Sequence, residues 1–216
     1  MKTKKWNKKI IIPLIVVFAA LYSFRVWYVN SNAAQVYEKK YEIGDWVPLE
    51  GDYIATKGEN TDGYSLQLSE VEVLSYEDFM ARYNKSTDYL AEKSRHHVIL
   101  LTLNIKNESS DGYLYLSFFT LLNKYFSCYY SFDSTYESIC EPKINSGYGQ
   151  ASINIQPNSE YTLKVAYTSS VRADGVSFLQ EEASKGHKTA DLYLSISWYP
   201  TKKYIHFTVP IPENPQ

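Results

Sequence analysis

Hydrophobic and polar positions divide the chain into an apolar N-terminal run and a long region of short alternating segments. Residues 10–24 are almost wholly apolar, and after Arg25 a second apolar stretch covers 26–29. A block of lysines precedes this run: Lys2, Lys4, Lys5, Lys8 and Lys9. Because a basic block before an apolar run is retained on the cytoplasmic side of a membrane, the pattern predicts export of the remaining chain.

The length of the apolar run leaves two interpretations open. As a helix, 10–29 would rise about 30 Å, which is enough to cross the ~30 Å hydrocarbon core of a bilayer. Arg25 lies near the outer end, where its side chain can reach the headgroups, and Trp27 and Tyr28 suit the interface. The tripeptide Ser-Asn-Ala at 31–33 is a passable cleavage site. We expect a retained single-pass anchor in the cell membrane, with a cleaved signal peptide and a secreted domain as the alternative.

Period-two alternation predicts β-strands through most of the remaining chain. The clearest strand is 98–107, in which one phase is apolar: Ile99, Leu101, Leu103 and Ile105. Alternation of the same kind marks further segments: 64–74, 151–155, 161–167, 192–198 and 205–209. This pattern predicts seven to nine short antiparallel strands.

Local signals add detail to this reading. The apolar phase of 64–74 changes near Ser69, which predicts a β-bulge. Ser75 and Asp78 stand in capping-box positions before a predicted short helix, 76–83, and a single helical turn is expected near 178–182. The segment Pro-Thr-Lys-Lys at 200–203 is expected to turn the chain between the last two strands.

Many short strands and few helices favour an antiparallel β-sandwich of two sheets, with a closed barrel as the alternative. The roughly 180 residues after the apolar run suffice for one domain with a sizeable core. We predict five parts: a cytoplasmic basic segment at 1–9, a transmembrane segment at 10–29, a linker at 30–44, an extracytoplasmic domain at 45–211 and a tail at 212–216.

Four stretches carry a resemblance to a known family: YEIGDWVPLEG, TLNIKNESSDG, INIQPNSEYTLKVAY and SWYPTKKYIHFTV. Together they resemble the immunoglobulin-like domains of unknown function on secreted and surface-anchored proteins of Gram-positive bacteria. The likeness covers about 41–211 and rests on structural motifs. One departure is Asn158, where those domains commonly have glycine after the proline. The resemblance brings no catalytic residues to this chain.

The distribution of charge excludes one class of partner. Six of the 22 basic residues but none of the 24 acidic residues lie in 1–33, so the exported part carries 16 basic and 24 acidic residues and a net charge of about −8. Affinity for nucleic acids comes mainly from basic side chains that neutralise phosphates. We therefore expect no nucleic-acid partner.

Cysteine usage allows two arrangements. Cys128 and Cys140 are the only cysteines, and the exterior of a cell permits disulfide formation. A disulfide between them would close a local loop. The alternative is two separate buried thiols.

Motifs of catalysis and metal binding do not occur in the sequence. There is no G-x-S-x-G elbow, and no serine is followed three places on by lysine. His96 and His97 are adjacent, so their side chains would point to opposite faces of a strand, and His187 and His206 stand alone. We expect no metal, no cofactor and no enzymatic activity, and keep a hydrolase as a remote alternative.

Tyrosine is the one residue type in marked excess, at 21 of 216 residues. Tyr193, Tyr199 and Tyr204 fall on the outward phase of the last two strands. A tyrosine ring offers a large flat area with a polar tip, which suits protein recognition and sugar stacking alike, although tyrosine is also common in strands for structural reasons. We therefore predict a membrane-tethered binding or envelope-accessory domain. The alternative is a carbohydrate-binding module that docks on the cell wall through these three tyrosines.

Overall fold

The computed structural model describes most of the 216-residue chain. The described residues are 8–32, 37–56, 59–91, 97–108, 112–125, 128–142, 152–169 and 177–212. The predicted basic segment before residue 8, the cleavage site at Ala33 and the tail after 212 lie outside them. The chain divides into two units, Met1–Gln35 and Val36–Gln216.

The described part of the first unit contains one helix, α1, which spans Lys8–Ser31. Its segment Ile11–Ser31 is 21 residues long and contains an 18-residue window with a mean hydropathy of 1.8, and no residue of that window is buried. Pro13 lies near the helix start, where a proline does little damage. The helix agrees with the predicted apolar segment and is long and apolar enough to be a membrane anchor or a signal peptide.

The second unit is built mainly of strands. Its elements in chain order are β1 (Tyr37–Glu42), β2 (Trp46–Pro48), β3 (Tyr64–Leu74), α2 (Tyr76–Arg82), β4 (Val98–Asn107), β5 (Leu114–Tyr115), a 3₁₀ turn (Leu116–Phe118), β6 (Thr120–Asn123), β7 (Cys128–Phe132), α3 (Ser134–Cys140), β8 (Ser152–Ile153), β9 (Ser159–Ser169), α4 (Phe178–Ser184), β10 (Thr189–Ser197) and β11 (Thr201–Pro210). The short strands β5 and β8 pair only with each other.

Nine strands form one mixed sheet in the order β1-β11-β10-β6-β7-β9-β4-β3-β2. Only the pair β1–β11 is parallel. The two edge strands, β1 and β2, are consecutive in the chain and are separated by a turn at 43–45. Gly44 in this turn has φ of +93°, a conformation that favours glycine, and its N–H donates to Leu68 O at 2.8 Å. The sheet is therefore nearly closed into a barrel.

Backbone hydrogen bonds join the segment after β2 to the connection between β10 and β11. Tyr53 N–H donates to Tyr199 O at 2.7 Å, and Trp198 N–H donates to Tyr53 O at 2.9 Å. Tyr53 follows β2 in the chain, whereas Trp198 and Tyr199 connect β10 to β11. We call this junction of β2 and β11 the closing seam.

This architecture overturns the predicted immunoglobulin-like sandwich. A sandwich has two sheets packed face to face, whereas here the nine strands form one sheet, nearly closed into a barrel around a single main core. Both architectures bury one phase of each strand, so alternation alone does not distinguish them. The closed barrel, our alternative, is the closer description.

The core follows the predicted alternation. The inward side chains of β4 are buried as expected: Ile99, Leu101, Leu103 and Ile105. A register shift between Leu68 and Glu70 confirms the bulge predicted in β3. Burial of each such aliphatic side chain contributes about 1.5–3 kcal/mol. Asn158 has φ of +58°, which explains why asparagine can stand where glycine was expected.

A second apolar cluster lies on the outer side of the sheet, where α2 and α3 cover β4 and β9. Leu100 and Ala166 of the sheet pack there with Phe79, Met80 and Tyr136 of the helices. Ser75 caps α2 as predicted and accepts a hydrogen bond from Asp78 N–H at 3.1 Å.

Two further sequence expectations need correction. Residues 37–42, inside the predicted linker, form β1. The predicted turn at 200–203 is shorter, because β11 begins at Thr201.

Candidate functional site

The structure brings together two of the three predicted tyrosines. The rings of Tyr193 and Tyr204 meet edge to face, with centroids 5.6 Å apart and planes at 80°. Tyr199 lies instead against Tyr53, with centroids 6.1 Å apart and planes at 31°. Tyr199 is 52% exposed, but Tyr204 only 9%. The three tyrosines therefore do not form one flat platform.

Strand register explains which side chains gather around Tyr193 and Tyr204. On β10 and β11, Tyr193 is opposite His206, and Tyr204 in turn is opposite Lys40 of β1. Since successive side chains alternate between faces, one outward row per strand results. We call this surface the tyrosine face; it consists of Glu38, Lys40, Glu42, Asp191, Tyr193, Lys202, Tyr204 and His206.

His206 lies at the centre of the polar contacts on the tyrosine face. Its Nδ1 is 2.8 Å from Glu42 Oε2, and its Nε2 is 3.4 Å from Asp191 Oδ1. Its ring lies against Tyr193, with centroids 4.9 Å apart. Hydrogen bonds from Lys40 and then from His206 lower the pKa of Glu42. These contacts keep the Glu42 carboxylate ionised and hold the imidazole in one orientation.

Lys202 orders the other end of the tyrosine face. Its ammonium is 2.9 Å from Glu38 Oε1 and lies over two rings, 5.4 Å from the centroid of Trp198 and 5.6 Å from that of Tyr204. Burial raises the pKa of Tyr204, so its phenol stays protonated. The face thus presents aromatic area among fixed charges of both signs.

The tyrosine face contains histidine and carboxylate side chains, which are possible metal ligands. Within the ranges that the structure describes, no group of three or more His, Cys, Asp and Glu side chains could hold a metal ion. The sequence placed His206 alone at a strand edge and did not reveal its neighbours. The alternation of Glu38, Lys40 and Glu42 could have pointed to an outward charged row on β1.

Cys140 lies in α3, which covers the edge of β9. Its Sγ is 3.6 Å from Glu137 Oε2 and 3.8 Å from Lys164 O. Burial, followed by the neighbouring Glu137 carboxyl, raises the pKa of the Cys140 thiol, which therefore stays protonated. Cys140 is a free thiol in the structure, and the side chain of Cys128 lies outside the described residues.

Glu137 is the most deeply buried carboxyl group of α3. Its Oε2 accepts a hydrogen bond from Ala166 N–H at 2.9 Å, while Oε1 is buried without a hydrogen-bond partner. Burial raises the pKa of Glu137 to about 8. Glu141 accepts from Lys164 N–H at 2.9 Å in the same way. Two acidic side chains thus satisfy the N–H groups that the edge of β9 would otherwise leave unpaired.

Lys203 is a buried charge that the sequence reading missed. Its side chain is fully buried, and its ammonium donates to Pro48 O at 2.6 Å and Leu49 O at 3.1 Å. It also forms ion pairs with Asp52 at 2.7 Å and Glu50 at 2.8 Å, and its hydrogen bond lowers the pKa of Glu50. Lys203 therefore links β11 to the end of β2 across the closing seam.

Comparisons with known proteins give one positive result. No curated protein and no solved structure matches the chain. The family described as "Domain of unknown function (DUF5028)" matches residues 38–203, which is about three quarters of the chain. The match begins within β1 and ends within β11. It confirms a domain-of-unknown-function family but names no immunoglobulin-like fold. The chain therefore belongs to the DUF5028 family.

Proposed function

We propose that the protein is an extracytoplasmic binding domain, without catalytic activity of its own, that is held at the cell membrane by α1. It recognises a protein partner through the tyrosine face. A place in the envelope of a Gram-positive cell and an accessory role there are parts of the same proposal.

The proposed topology is supported by α1 and the lysine block before it. A helix of this length and hydropathy can span the hydrocarbon core, and the lysines favour a cytoplasmic N-terminus. Fractionation of cells that carry an epitope after Gln216 tests this. We expect the epitope in the membrane pellet, accessible to added protease. Recovery in the cytosol would refute the topology, and recovery in the medium would replace the anchor by a cleaved signal peptide.

The observation that carries the binding proposal is the setting of Tyr193. Its ring is fixed between Tyr204 and His206, which are in turn held by their own contacts. Rigid aromatic side chains surrounded by a polar rim are typical of the residues that dominate protein interfaces. Little conformational entropy would be lost when a partner covers such a ring.

The geometry of the tyrosine face favours a protein over a glycan. A sugar ring stacks on the exposed flat face of an aromatic side chain, but the planes of Tyr193 and Tyr204 lie at 80° and Tyr204 is nearly covered. A protein partner can instead be complementary in shape to an uneven surface and in charge to side chains of both signs.

A glycan remains the second candidate because of the other tyrosine pair. The planes of Tyr53 and Tyr199 lie only 31° apart, and Tyr199 is 52% exposed. This pair is a better sugar platform than the tyrosine face. Binding to cell-wall glycans that is lost in Tyr199→Ala but unaffected by Tyr193→Ala would favour this alternative.

Site-specific crosslinking in intact cells tests the protein partner. A photoreactive phenylalanine derivative at position 193 should capture one protein reproducibly, while the same group at position 161 should not. Tyr161 is a matched control, since it is 37% exposed but lies on β9. Tyr193→Ala should reduce capture through a neighbouring position by about tenfold, the effect of an interface residue worth about 1.4 kcal/mol. Equal capture from positions 193 and 161 would contradict the proposal.

A further inference from the structure

A cavity of about 220 Å³ lies beside α4, at the ends of β6 and β10. At about 30 Å³ for each water molecule, it has room for about seven waters, and so for a molecule of similar size. Its lining includes two buried apolar residues, Phe178 and Ala190. The other lining side chains are polar or charged. The cavity therefore offers an apolar contact and several charged groups within one small volume.

One wall of the cavity is a buried carboxylate that positions a histidine. Glu182 of α4 is only 4% exposed. Its Oε1 accepts from Lys185 Nζ at 2.8 Å, and its Oε2 is 2.7 Å from His187 Nδ1. Burial by itself would raise the pKa of Glu182, but the hydrogen bonds from Lys185 and His187 outweigh it and lower that pKa. The ionised carboxylate holds His187 by Nδ1 and leaves Nε2 as the nitrogen for a ligand.

A lysine and an aspartate line the cavity from two neighbouring strands, at the end of β6 and in β10. The antiparallel pairing of Leu192 with Asn123 places Asp191 opposite Lys124. Asp191 Oδ1 accepts a hydrogen bond from Thr208 at 2.8 Å, so Oδ2 is the oxygen left for a ligand. Among the residues that the structure describes, Lys124 forms no ion pair. An ammonium and a carboxylate thus line the same cavity without neutralising each other.

We propose that this cavity binds a free α-amino acid with a small side chain. Lys124 holds the ligand carboxylate, Asp191 and the acceptor nitrogen Nε2 of His187 hold its ammonium group, and Phe178 contacts its side chain. The separation of cationic and acidic groups selects a zwitterion over a simple anion or cation. A neutral sugar would leave both charged walls without an ionic partner. The site shares Asp191 with the tyrosine face, but its other lining residues lie outside that face.

Calorimetry or saturation-transfer NMR on the full chain in detergent tests this site, with alanine as the probe. Six heavy atoms held by partly exposed charges should give a Kd in the millimolar range. Propionate, which lacks the ammonium group, and ethylamine, which lacks the carboxylate, should each bind about tenfold more weakly or worse. Glucose serves as the neutral competitor.

Three variants separate the roles of the charged walls. Asp191→Asn should weaken alanine binding about tenfold and leave propionate binding unchanged. Lys124→Met should weaken alanine binding and leave ethylamine binding unchanged. Lys188→Met is the matched control, because Lys188 is exposed nearby but does not line the cavity. The proposal is overturned if glucose binds as tightly as alanine, if alanine does not bind, or if both wall variants retain it.

Discussion

Replacement of Lys203 by methionine tests whether the closing seam holds the barrel together. The ammonium of Lys203 has two carbonyl partners, Pro48 O and Leu49 O, and two carboxylate partners, Asp52 and Glu50. The Glu50 side chain is 56% exposed, so water can replace its partner, but the Asp52 side chain is only 4% exposed. Removal of one member of a buried ion pair costs about 3–5 kcal/mol, because the other charge stays buried. We therefore expect Lys203→Met to lose about 4 kcal/mol of unfolding free energy.

This loss is large enough to measure in a domain of this size. For 150–250 residues, 1 kcal/mol corresponds to about 2–4 °C in Tm, so Lys203→Met should melt about 10 °C below the parent. Urea unfolding followed by tryptophan fluorescence gives the free energy directly. The control is Lys202→Met on the outer side of the same strand, where the ion pair with exposed Glu38 should contribute about 1 kcal/mol or less.

A second variant separates the charge from the carbonyl contacts. Lys203→Met combined with Asp52→Asn no longer buries an unpaired charge, so it should recover about half of the loss. The rest, about 2 kcal/mol, reflects two carbonyls that lack a donor. If Lys203→Met is no less stable than Lys202→Met, the seam does not depend on this ion pair.

Three further predictions concern the rest of the domain. The pKa of Glu137 in the folded protein is about 8, above its ordinary value of 4.5. The protonated carboxyl therefore stabilises the fold fully below pH 4.5, and this stability is lost as the pH rises toward 8. Urea denaturation across pH 5–8 should show the unfolding free energy falling, and Glu137→Gln should flatten this pH dependence. A Cβ at Gly112 would lie 1.9 Å from Asn60 O, so Gly112→Ala should cost about 3 kcal/mol or more in urea unfolding, and a cost below about 1 kcal/mol would refute the close approach. Mass mapping of exported protein without reduction should find Cys140 as a free thiol, and a linked peptide pair of Cys128 and Cys140 would refute this.

Local structure could be predicted from the sequence, because it depends on residues that are neighbours in the chain. The apolar run predicted α1, and the change of phase near Ser69 predicted the bulge in β3. The capping signal at Ser75 predicted α2. Each of these features follows from periodicity or from a short pattern, and no distant contact is needed to form it.

Closure of the sheet could not be predicted from the sequence in this way. Strand β1 is exposed along almost its whole length, so it lacks the apolar phase that marks a strand, and its partner β11 is far away in the chain. The helix α3 was missed because its segment mixes polar and apolar residues without a clear period. Lys203 shares the inward phase of Ile205 and Phe207, and that anomaly was the one available sign of the seam.

The candidate site was accessible only in outline. Tyr193 and Tyr204 lie on β10 and β11, but Tyr199 lies in the connection between these strands. The angle between the rings of Tyr193 and Tyr204 depends on the packing of Tyr193 against His206. The cavity beside α4 depends on where a helix meets the ends of two strands. Neither arrangement leaves a pattern in a single stretch of sequence.

The position of β1 has a consequence for the order of folding. Glu38 pairs with Lys202, which follows it by 164 residues, so β1 must wait for a partner strand that is synthesised much later. Contacts between such distant residues slow folding, because a long loop must be closed before they form. Strand β1 is therefore synthesised long before β11 is present and the sheet can close.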